Sequence, residues 1–463
     1  MLENKKLERF VFSTRYRLEN RGTAEMYILR SGSLQKAVGI SFAIALIAIL
    51  NPFFLWDGYR GGIFSSSGIP VLKLIYVFVI IIGSAYVAIN RKVERKNFYI
   101  FLFLVFNLIV IEFICGCRFS DLSSITLVSI LNFFVIGLFC LFPDNVKANI
   151  YRWFLFMFVI SIIPGIIYSI FTFAGINLSF ETITASSEIK QNSYVQYLHF
   201  PFAVQISKNY DLIGNLNRFR LCGIYDEPGR VGTVCALLLT TEGLKIKKDW
   251  KNLLLFIGGV LSLSLAFFLI IAIVFIYKMF KKNEAKYAVF LIVILVAFFV
   301  FLNIDFDNVA LASLQNRFVI TSTGLAGNNR TGTEFNNIFY KFLENSGIFT
   351  LLLGNGDGSM YKVLSAASIG YGSSYKSIIY DIGFLGTILY ILWIVMYGKK
   401  YWSNKKMINS FIVINIAIFI INLYQRPSIF HPSYLLILLG GIANVSVLSA
   451  SGENKLVEDL YGE

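Results

Sequence analysis

Long apolar runs recur along almost the whole chain and are separated by polar connections. The runs lie at 37–56, 71–89, 98–116, 122–142, 153–175, 221–241, 287–304, 376–397, 409–424 and 431–449. A helix needs roughly 20 apolar residues to cross a hydrocarbon core about 30 Å thick. Each run is therefore predicted to be a transmembrane helix, and residues 1–463 to form one all-α polytopic integral membrane domain.

Composition and charge agree with this pattern, since 56% of the residues are hydrophobic and only 15% are charged. Soluble domains have about a quarter of their residues charged. The net charge of +14 is concentrated in basic clusters at 5–36, 91–96, 245–251, 278–286 and 399–406. Such clusters mark the cytoplasmic side of a membrane protein. The charge is thus explained by topology, and a nucleic-acid partner is not indicated.

One further apolar stretch, 252–280, is flanked by Lys on both sides. If this stretch enters the membrane and returns, turning near Ser262-Leu263-Ser264, every second connection between spans is basic along the whole chain. Each leg would have about 14 residues, which is short for a full crossing. We therefore predict a tight or partly re-entrant hairpin, about twelve crossings in total and both termini in the cytoplasm. The basic segment 1–36 precedes the first apolar run, so no cleavable signal peptide is expected, and this segment should bind anionic membrane lipid.

This topology leaves two long segments on the outer face, 176–219 and 305–375. Loops of such length are usually functional or disordered. The second contains an apolar stripe at helical spacing, which predicts an amphipathic helix lying on the membrane surface. The stripe consists of Phe335, Ile338, Phe339, Phe342 and Leu343. A turn signal follows at Gly354-Asn355-Gly356.

Four charged side chains lie within eleven residues where the first outer segment meets the sixth apolar run. They are Arg220, Asp226, Glu227 and Arg230. Ionisable residues at the edge of a membrane span are costly and indicate function. In one continuous helix, Arg220 and Glu227 would share a face, with Gly223 leaving room beside them. Pro228 favours a break instead, so that a helix begins there and directs its free N–H groups at an anion. A buried Arg–Glu pair that only joins two helices is the structural alternative.

The pattern Arg220-x-x-Gly223-x-x-x-Glu227-Pro228-x-x-x-Gly232 resembles the signature of Wzy-type O-antigen and capsular polysaccharide polymerases, in the superfamily of the O-antigen ligases. The similarity continues through Ser262-Leu263-Ser264, Asn329-Arg330, Leu353 to Gly356, Ser373 to Tyr375, and Asp381 to Gly386. Where the ligases carry a His-Asn pair before the span after their large loop, this chain has Ser374-Tyr375. That difference favours a polymerase over a ligase.

The resemblance implies a metal-independent, inverting glycosyltransferase with a GT-C-like fold, working at the outer face of a bacterial plasma (inner) membrane and needing no cofactor. The donor would be a growing polysaccharide on undecaprenyl pyrophosphate, and the acceptor a single repeat unit on a second such lipid. The expected partners are these lipid-linked oligosaccharides and membrane lipid. A co-polymerase that regulates chain length is a further candidate partner.

The charged residues of the chain fit this chemistry. Arginine forks onto phosphate oxygens, so Arg220 and Arg330 are expected to stabilise the departing pyrophosphate, with Arg317 and Arg426 in support. Glu227 is the carboxylate best placed to act as base or strong acceptor for the attacking hydroxyl. The remaining predicted substrate-binding residues are Arg230, Tyr225, Tyr375 and His431. For both tyrosines, a plain interfacial aromatic is the alternative.

Other features have simpler explanations. Asp305-Phe306-Asp307 has the DxD pattern that holds a metal in other glycosyltransferases, but it directly follows an apolar run and is interpreted as a polar helix end. The two histidines, His199 and His431, lie too far apart in sequence to indicate a ligand set, and no CxxC pair is present. No metal site is expected.

Three alternatives to a polymerase stay open at this point. A ligase or related transferase of lipid-linked glycans differs only in its acceptor. A flippase for lipid-linked oligosaccharides should show internal pseudo-repeats, and the sequence has none. A purely structural membrane protein would not need charges at the sixth span.

Overall fold

The computed structural model describes residues 33–56, 68–90, 93–111, 127–174, 176, 178–184, 195–208, 220–246, 249–282, 332–356, 358–366 and 374–450, with short stretches between 289 and 325. Several predicted features lie outside these residues. They are the basic segment up to residue 32, most of the run 287–304, the Asp305–Asp307 pattern, and Arg317, Asn329 and Arg330.

The described residues are mostly helical, as the apolar pattern predicts. The helices are α1 (Ser33–Ile49), α2 (Gly68–Asn90), α3 (Arg95–Leu108), α4 (Leu127–Leu141), α5 (Asp144–Phe173), α6 (Pro228–Thr241), α7 (Trp250–Leu261), α8 (Leu265–Lys282), α9 (Thr333–Asn345), α10 (Ile348–Leu353), α11 (Ser359–Ala366), α12 (Tyr375–Lys400), α13 (Lys406–Gln425) and α14 (Pro432–Ala450). A short 3-10 helix, Phe53–Leu55, follows α1.

Five of these helices, α2, α5, α12, α13 and α14, are long and apolar enough to cross a membrane. Helices α1, α4 and α7 are apolar but shorter. The prediction of a helical membrane protein is therefore confirmed, whereas the number of about twelve crossings and the GT-C-like fold stay predictions. The predicted turn in 252–280 is confirmed at Ser262–Ser264, between α7 and α8, whereas their return through the membrane as a hairpin stays a prediction.

The predicted boundary of the fifth run was wrong at its start, because α5 begins at Asp144 rather than at residue 153. Its first turns carry charged residues, which the apolar pattern had left outside the predicted span. The structure buries Lys147 completely and gives its Nζ two partners, Asn97 Oδ1 at 2.9 Å and Asp144 Oδ1 at 3.5 Å. Lys400, at the end of α12, bonds to the same Asn97 and Asp144. Pairing of the charges therefore allows the helix to extend.

A small antiparallel sheet occupies part of the segment 176–219, which was predicted only as a loop. Its strands are β1 (Glu181–Thr184), β2 (Val195–Phe200) and β3 (Ala203–Lys208), in the order β1-β2-β3. A second, two-residue pairing joins β4 (Ile320–Thr321) to β5 (Gly324–Leu325). The sheet is held against the helices, since Val204 donates its N–H to the carbonyl of Gly223 at 2.7 Å.

The centre of the helical bundle is α14. Every residue from Pro432 to Val445 is buried, and the helix packs against α4, α5, α6, α12 and α13. Two glycines permit this close approach: a Cβ on Gly440 would lie 2.8 Å from Tyr151 Cβ, and one on Gly441 would lie 2.7 Å from Thr241 Cγ2. Small residues at helix contacts are the usual means of close packing in membrane proteins.

A second, smaller apolar cluster joins α9, α10 and α11 to α12. The stripe of α9 supplies Phe335, Phe339 and Phe342 to it, and α11 supplies Met360 and Leu364. The predicted helix is confirmed, and its apolar stripe packs against protein; the position of this helix on the membrane surface stays a prediction. The phenylalanines find partners on α11 and α12 and are at most 6% exposed.

Helix α12 is broken at Gly383, where φ is 67° and ψ is −178°. The turn after α10 packs into this break. A Cβ on Gly354 would lie 2.2 Å from Asp381 O, and one on Gly383 would lie 2.2 Å from Leu352 O. The N–H groups of Asn355 and Gly356 donate to the carbonyls of Tyr380 and Asp381, each at 2.8 Å. The Gly-Asn-Gly and Asp-Ile-Gly motifs are therefore two halves of one backbone contact.

Candidate functional site

The chain breaks its helical conformation just before α6, as Pro228 indicates. Glu227 is the N-cap residue, in an extended conformation with φ −150° and ψ 122°, and Pro228 is the first helical residue. The extended conformation of Glu227 is the one that a following proline enforces. The alternative of one continuous helix through Arg220 and Glu227 was therefore wrong, and the alternative of a helix beginning at Pro228 is confirmed.

The segment before α6 is non-helical but bonded through its backbone to three different elements. Leu221 donates to Leu261 O at 2.9 Å, Ile224 accepts from Phe53 N at 2.8 Å, and Gly223 accepts from β3. Gly223 adopts a positive φ of 60°, and a Cβ on Gly165 of α5 would lie 2.7 Å from its Cα. Irregular backbone inside a membrane bundle is tolerated when its polar groups are satisfied in this way.

The carboxylate of Glu227 forms an ion pair with Arg426, the residue that follows α13. Arg426 Nη1 lies 2.7 Å from Glu227 Oε2, and the two side chains are 13% and 30% exposed, respectively. Burial acts to lower the pKa of the Arg426 guanidinium, but Glu227, Tyr434 and Asp226 raise that pKa above its usual range. Two residues that are 199 positions apart thus meet at the N-terminal end of α6.

A second ion pair lies beside the first. Arg230 Nη1 is 3.1 Å from Asp226 Oδ1 and donates to Leu50 O at 2.6 Å. Asp226 also accepts from Asn51 Nδ2 at 3.3 Å, and its carbonyl accepts from the Tyr197 hydroxyl at 2.6 Å. This pair therefore fastens α6 to the end of α1 and to β2. The predicted substrate contact of Arg230 stays a prediction.

His431 lies in the connection between α13 and α14, with its ring centroid 4.5 Å from that of Tyr434. Burial, together with the positive charges of Arg230 and Arg426, lowers the pKa of His431 to about 3. The imidazole is therefore neutral at physiological pH and cannot add a third positive charge to the site.

Several polar atoms around the two ion pairs are buried without a hydrogen-bond partner in the described part of the chain. They are Arg230 Nε, Arg426 Nε and Nη2, His431 Nδ1 and both side-chain polar atoms of Asn422. Asn422 lies one turn before Arg426, whose N–H donates to its carbonyl at 2.8 Å. A buried donor without a partner is costly, so a group of them indicates a place where water or a ligand is held.

The predicted catalytic Arg220 lies at the start of the same segment, where its Nε donates to Ser262 O at 3.1 Å. The Ser262–Ser264 turn also packs against α6: a Cβ on Gly232 would lie 2.4 Å from Ser262 Oγ and 2.4 Å from Ser264 Cβ. The Ser-Leu-Ser and Gly232 positions thus have a packing role that joins the hairpin to the site.

The two predicted tyrosines lie in different surroundings. Tyr225 is fully buried, stacks on Phe158 at 5.5 Å between centroids and shares a hydrogen bond with Ser161 Oγ at 2.8 Å. Tyr375 is 38% exposed and donates its hydroxyl to Ile420 O at 3.0 Å, at the end of α13 that leads to Arg426. A substrate role for either stays a prediction, and of the two only Tyr375 offers exposed ring surface.

The structure therefore brings together Glu227, Arg230, Arg426 and His431, and adds Asp226, Asn51 and Asn422. Arg317 and Arg330 lie outside the described residues. Sequence reasoning missed Asn51 and Asn422, because each is a single polar residue at or near the end of an apolar run and nothing local indicates its partner. Among the described residues, no group of three or more His, Cys, Asp or Glu side chains is arranged to hold a metal ion.

The arrangement presents an accessible carboxylate, two guanidinium groups and a helix N-terminus at one end of a bundle of apolar helices. It can accept a hydrogen bond from a hydroxyl and donate several to an anion. No protein-family model, curated protein or solved structure matches this chain. The similarity to the polysaccharide polymerases therefore rests on the motifs alone.

Proposed function

We propose that this protein is a membrane glycosyltransferase that polymerises lipid-linked oligosaccharide repeat units at the outer face of the plasma membrane. The observation that carries the proposal is the Glu227–Arg426 pair at the N-terminus of α6. It sets a carboxylate and a guanidinium side by side at one end of a helical bundle, where a lipid-linked substrate has access from the membrane. The motif resemblance supplies the class of donor, undecaprenyl pyrophosphate carrying a glycan.

The reaction needs two things from the protein. A hydroxyl oxygen on the acceptor's terminal sugar forms a bond to the donor's anomeric carbon, and its proton passes to a base. The bond from that carbon to the pyrophosphate oxygen breaks with inversion, and undecaprenyl pyrophosphate leaves with the electron pair. A base near the acceptor hydroxyl and a positive region near the pyrophosphate therefore suffice, without a protonating acid for the leaving group.

Glu227 suits the first need. Its side chain is 30% exposed, so a hydroxyl can reach it, while the ion pair with Arg426 Nη1 fixes its position. An ion-paired carboxylate is a weak base but a strong hydrogen-bond acceptor. It can orient the hydroxyl and receive its proton once the bond to the anomeric carbon has begun to form.

The arginines suit the second need. Arg426 uses Nη1 for Glu227, and its Nε and Nη2 have no hydrogen-bond partner among the described residues. That edge is a planar fork that matches two oxygens of a phosphate. Preorganised charge of this kind contributes a few kcal/mol per group to transition-state stabilisation. In this scheme Arg220 and the outer-segment arginines Arg317 and Arg330 add to the same positive region.

The test is Glu227→Gln, which keeps the shape of the side chain and removes its negative charge. We expect cells that carry this variant to lose polymer and to accumulate single repeat units on the lipid, as shown by gel analysis of the glycan and mass spectrometry of the lipid fraction. Glu344→Gln, an exposed substitution on α9, serves as the matched control and should polymerise normally.

Three other outcomes would overturn parts of the proposal. Normal polymerisation by Glu227→Gln would remove Glu227 as base. Failure of the variant to accumulate in the membrane, with normal levels of the control, would favour the purely structural Arg–Glu pair. Accumulation of long polymer on the lipid, instead of single units, would indicate a ligase that transfers finished chains.

A further inference from the structure

Two neighbouring helices of the second cluster expose different kinds of surface. The exposed positions of α9 are polar apart from Tyr340: they are Thr333, Glu334, Asn337, Lys341, Glu344 and Asn345. The exposed positions of α10 are Ile348, Phe349 and Leu352, which are 64%, 66% and 40% exposed. No charged residue occurs from 346 to 356. Only two residues separate the end of the polar-faced helix from the start of the apolar one.

The apolar surface of α10 is continuous with the outward surface of α12. From the break to Met396, the exposed positions of α12 are also apolar: they are Phe384, Leu385, Ile388, Leu392, Val395 and Met396. Because α12 is long and apolar enough to cross a membrane, we expect this stripe to face lipid. Leu352 is joined to it through the backbone, since its carbonyl lies 2.2 Å from where a Cβ on Gly383 would be.

Several backbone groups at this junction are hydrogen-bonded within the protein. The break at Gly383 releases carbonyls of α12 from their helical bonds, and the N–H groups of Asn355 and Gly356 take up two of them. Gly354 donates its own N–H to Thr350 O at 2.7 Å. Non-helical backbone is tolerated at membrane depth only when its polar groups are satisfied by protein or by a water-filled cavity. A junction in an aqueous loop would not need this arrangement.

We infer that α10 and the Gly354–Gly356 turn are inserted into the lipid layer, with Ile348, Phe349 and Leu352 against lipid acyl chains. The leaflet is the one nearest the Glu227–Arg426 pair, because Tyr375 at the start of α12 bonds to the end of α13 from which Arg426 follows. The boundary between lipid and water then passes between α10 and the polar face of α9. This inference does not depend on the proposed enzymatic activity.

The lipid contact can be measured with spin labels. Each label is attached to an introduced cysteine in the full-length protein, which is reconstituted in phospholipid vesicles. One label is attached at Phe349→Cys and a matched control label at Glu344→Cys, five residues earlier and on the polar face. Oxygen partitions into lipid, whereas a neutral nickel chelate partitions into water. We expect the ratio of oxygen to nickel accessibility to be several-fold higher at 349 than at 344.

Two results would overturn the inference. A nickel accessibility at 349 equal to that at 344 would place α10 in water. Low accessibility to both reagents would mean that protein covers this face. Leu352→Cys repeats the measurement in case labelling at 349 disturbs the helix, and it should give the same lipid-exposed ratio. Oxygen and the nickel chelate report only whether the label lies in lipid or in water. Loss of the proposed activity in any variant would therefore not affect the result.

Discussion

The guanidinium of Arg426 has two edges with different surroundings, and this separates two possible roles. Nη1 contacts Glu227 at 2.7 Å, whereas Nε and Nη2 are buried and have no hydrogen-bond partner in the part of the chain that the structure describes. A lysine could replace the charge beside Glu227 but not the planar fork. If the fork binds phosphate oxygens, lysine should fail almost as badly as alanine.

We therefore expect Arg426→Lys and Arg426→Ala both to lose about tenfold or more in polymerisation rate, equivalent to about 1.4 kcal/mol on the barrier. The measurement uses purified protein with lipid-linked repeat units. Arg152→Lys is the matched control, because Arg152 contacts Asn444 near the opposite end of α14 and should keep near-normal activity. Near-normal activity of Arg426→Lys would reduce Arg426 to a charge partner of Glu227.

His431 gives a pH-dependent contribution to stability with a definite sign. Its pKa is lowered from 6.5 to about 3 by burial and by Arg230 and Arg426, so below pH 6.5 the unfolded chain binds a proton that the folded chain does not. This contribution is fully present above pH 6.5 and is lost as the pH falls towards 3.

We expect the thermal midpoint of the wild-type protein in detergent to fall between about pH 7 and about pH 4.5 by more than that of His431→Gln. Tryptophan fluorescence during heating reports both midpoints. The two proteins differ in no other titratable group, so the difference isolates the histidine. Parallel pH profiles for the two proteins would contradict the assigned surroundings of His431.

At the residue scale, the sequence predicts site residues best where several charged side chains lie within one short segment. Glu227, Asp226 and Arg230 stand within five residues of each other, and Pro228 between them predicts the helix start correctly. The partners of these residues were less accessible to prediction, because Arg426 and Asn51 lie 199 and 175 positions away from Glu227 and Asp226, respectively. Such distances along the chain leave no local pattern, and only the packing of helices brings the groups together.

At the scale of elements, the junction between α10 and the broken α12 depends on two glycines. Gly354 has φ 76° and would place a Cβ 2.2 Å from Asp381 O, whereas Gly358 has φ 72° and no described atom within 4 Å of a Cβ. Both positions disfavour a side chain through their positive φ. Gly354, with ψ −172°, lies in a region that essentially only glycine adopts, and it alone of the two adds a collision with described backbone, which cannot move aside.

We expect Gly354→Ala to lower the thermal midpoint much more than Gly358→Ala, and to reduce the amount of folded protein in the membrane. Gel-filtration yield and thermal unfolding of both variants give the comparison. Equal effects of the two substitutions would mean that the close contact of Gly354 with α12 contributes nothing to stability.

Element boundaries were predictable where a strong local signal marks them. The turn at Ser262–Ser264 follows from the length of the apolar stretch, and the helix over Thr333–Asn345 follows from its apolar stripe. The β-sheet was missed because its strands have only four to six residues. A search for spans of roughly 20 residues does not detect such segments. The start of α5 was missed because a hydropathy pattern excludes a charged residue such as Lys147 from a membrane span. Hydrogen bonding to Asn97 and pairing with Asp144 make the burial of Lys147 possible.

At the scale of the whole molecule, the alternating basic connections predict which end of the bundle faces out. Phe202, at the turn between β2 and β3, is 74% exposed, and Asn404, between α12 and α13, is also exposed. We expect a cysteine at 202 to react with an impermeant thiol reagent added to intact cells or spheroplasts. A cysteine at 404 should react only after the membrane is opened. Labelling of both, or the reverse order, would place the Glu227 site on the other side.

The overall class of the fold was readable from composition and apolar runs, since these alone require a helical membrane protein. The arrangement of the helices was not, because lipid-facing and protein-facing apolar residues have the same composition. The position of α14 illustrates the difference: it is about as apolar as α13, yet it is buried from Pro432 to Val445, while α13 has exposed positions such as Val413.

The central position of α14 also has a consequence for biosynthesis. Every helix that it packs against precedes it in the chain, and Ser433 Oγ even donates to Leu46 O of the first described helix. The ribosome therefore delivers the core of the bundle after the helices that surround it. Until translation passes Pro432, the earlier helices lack these contacts with α14. We therefore expect chains truncated before Pro432 to be less stable in the membrane than the full-length protein.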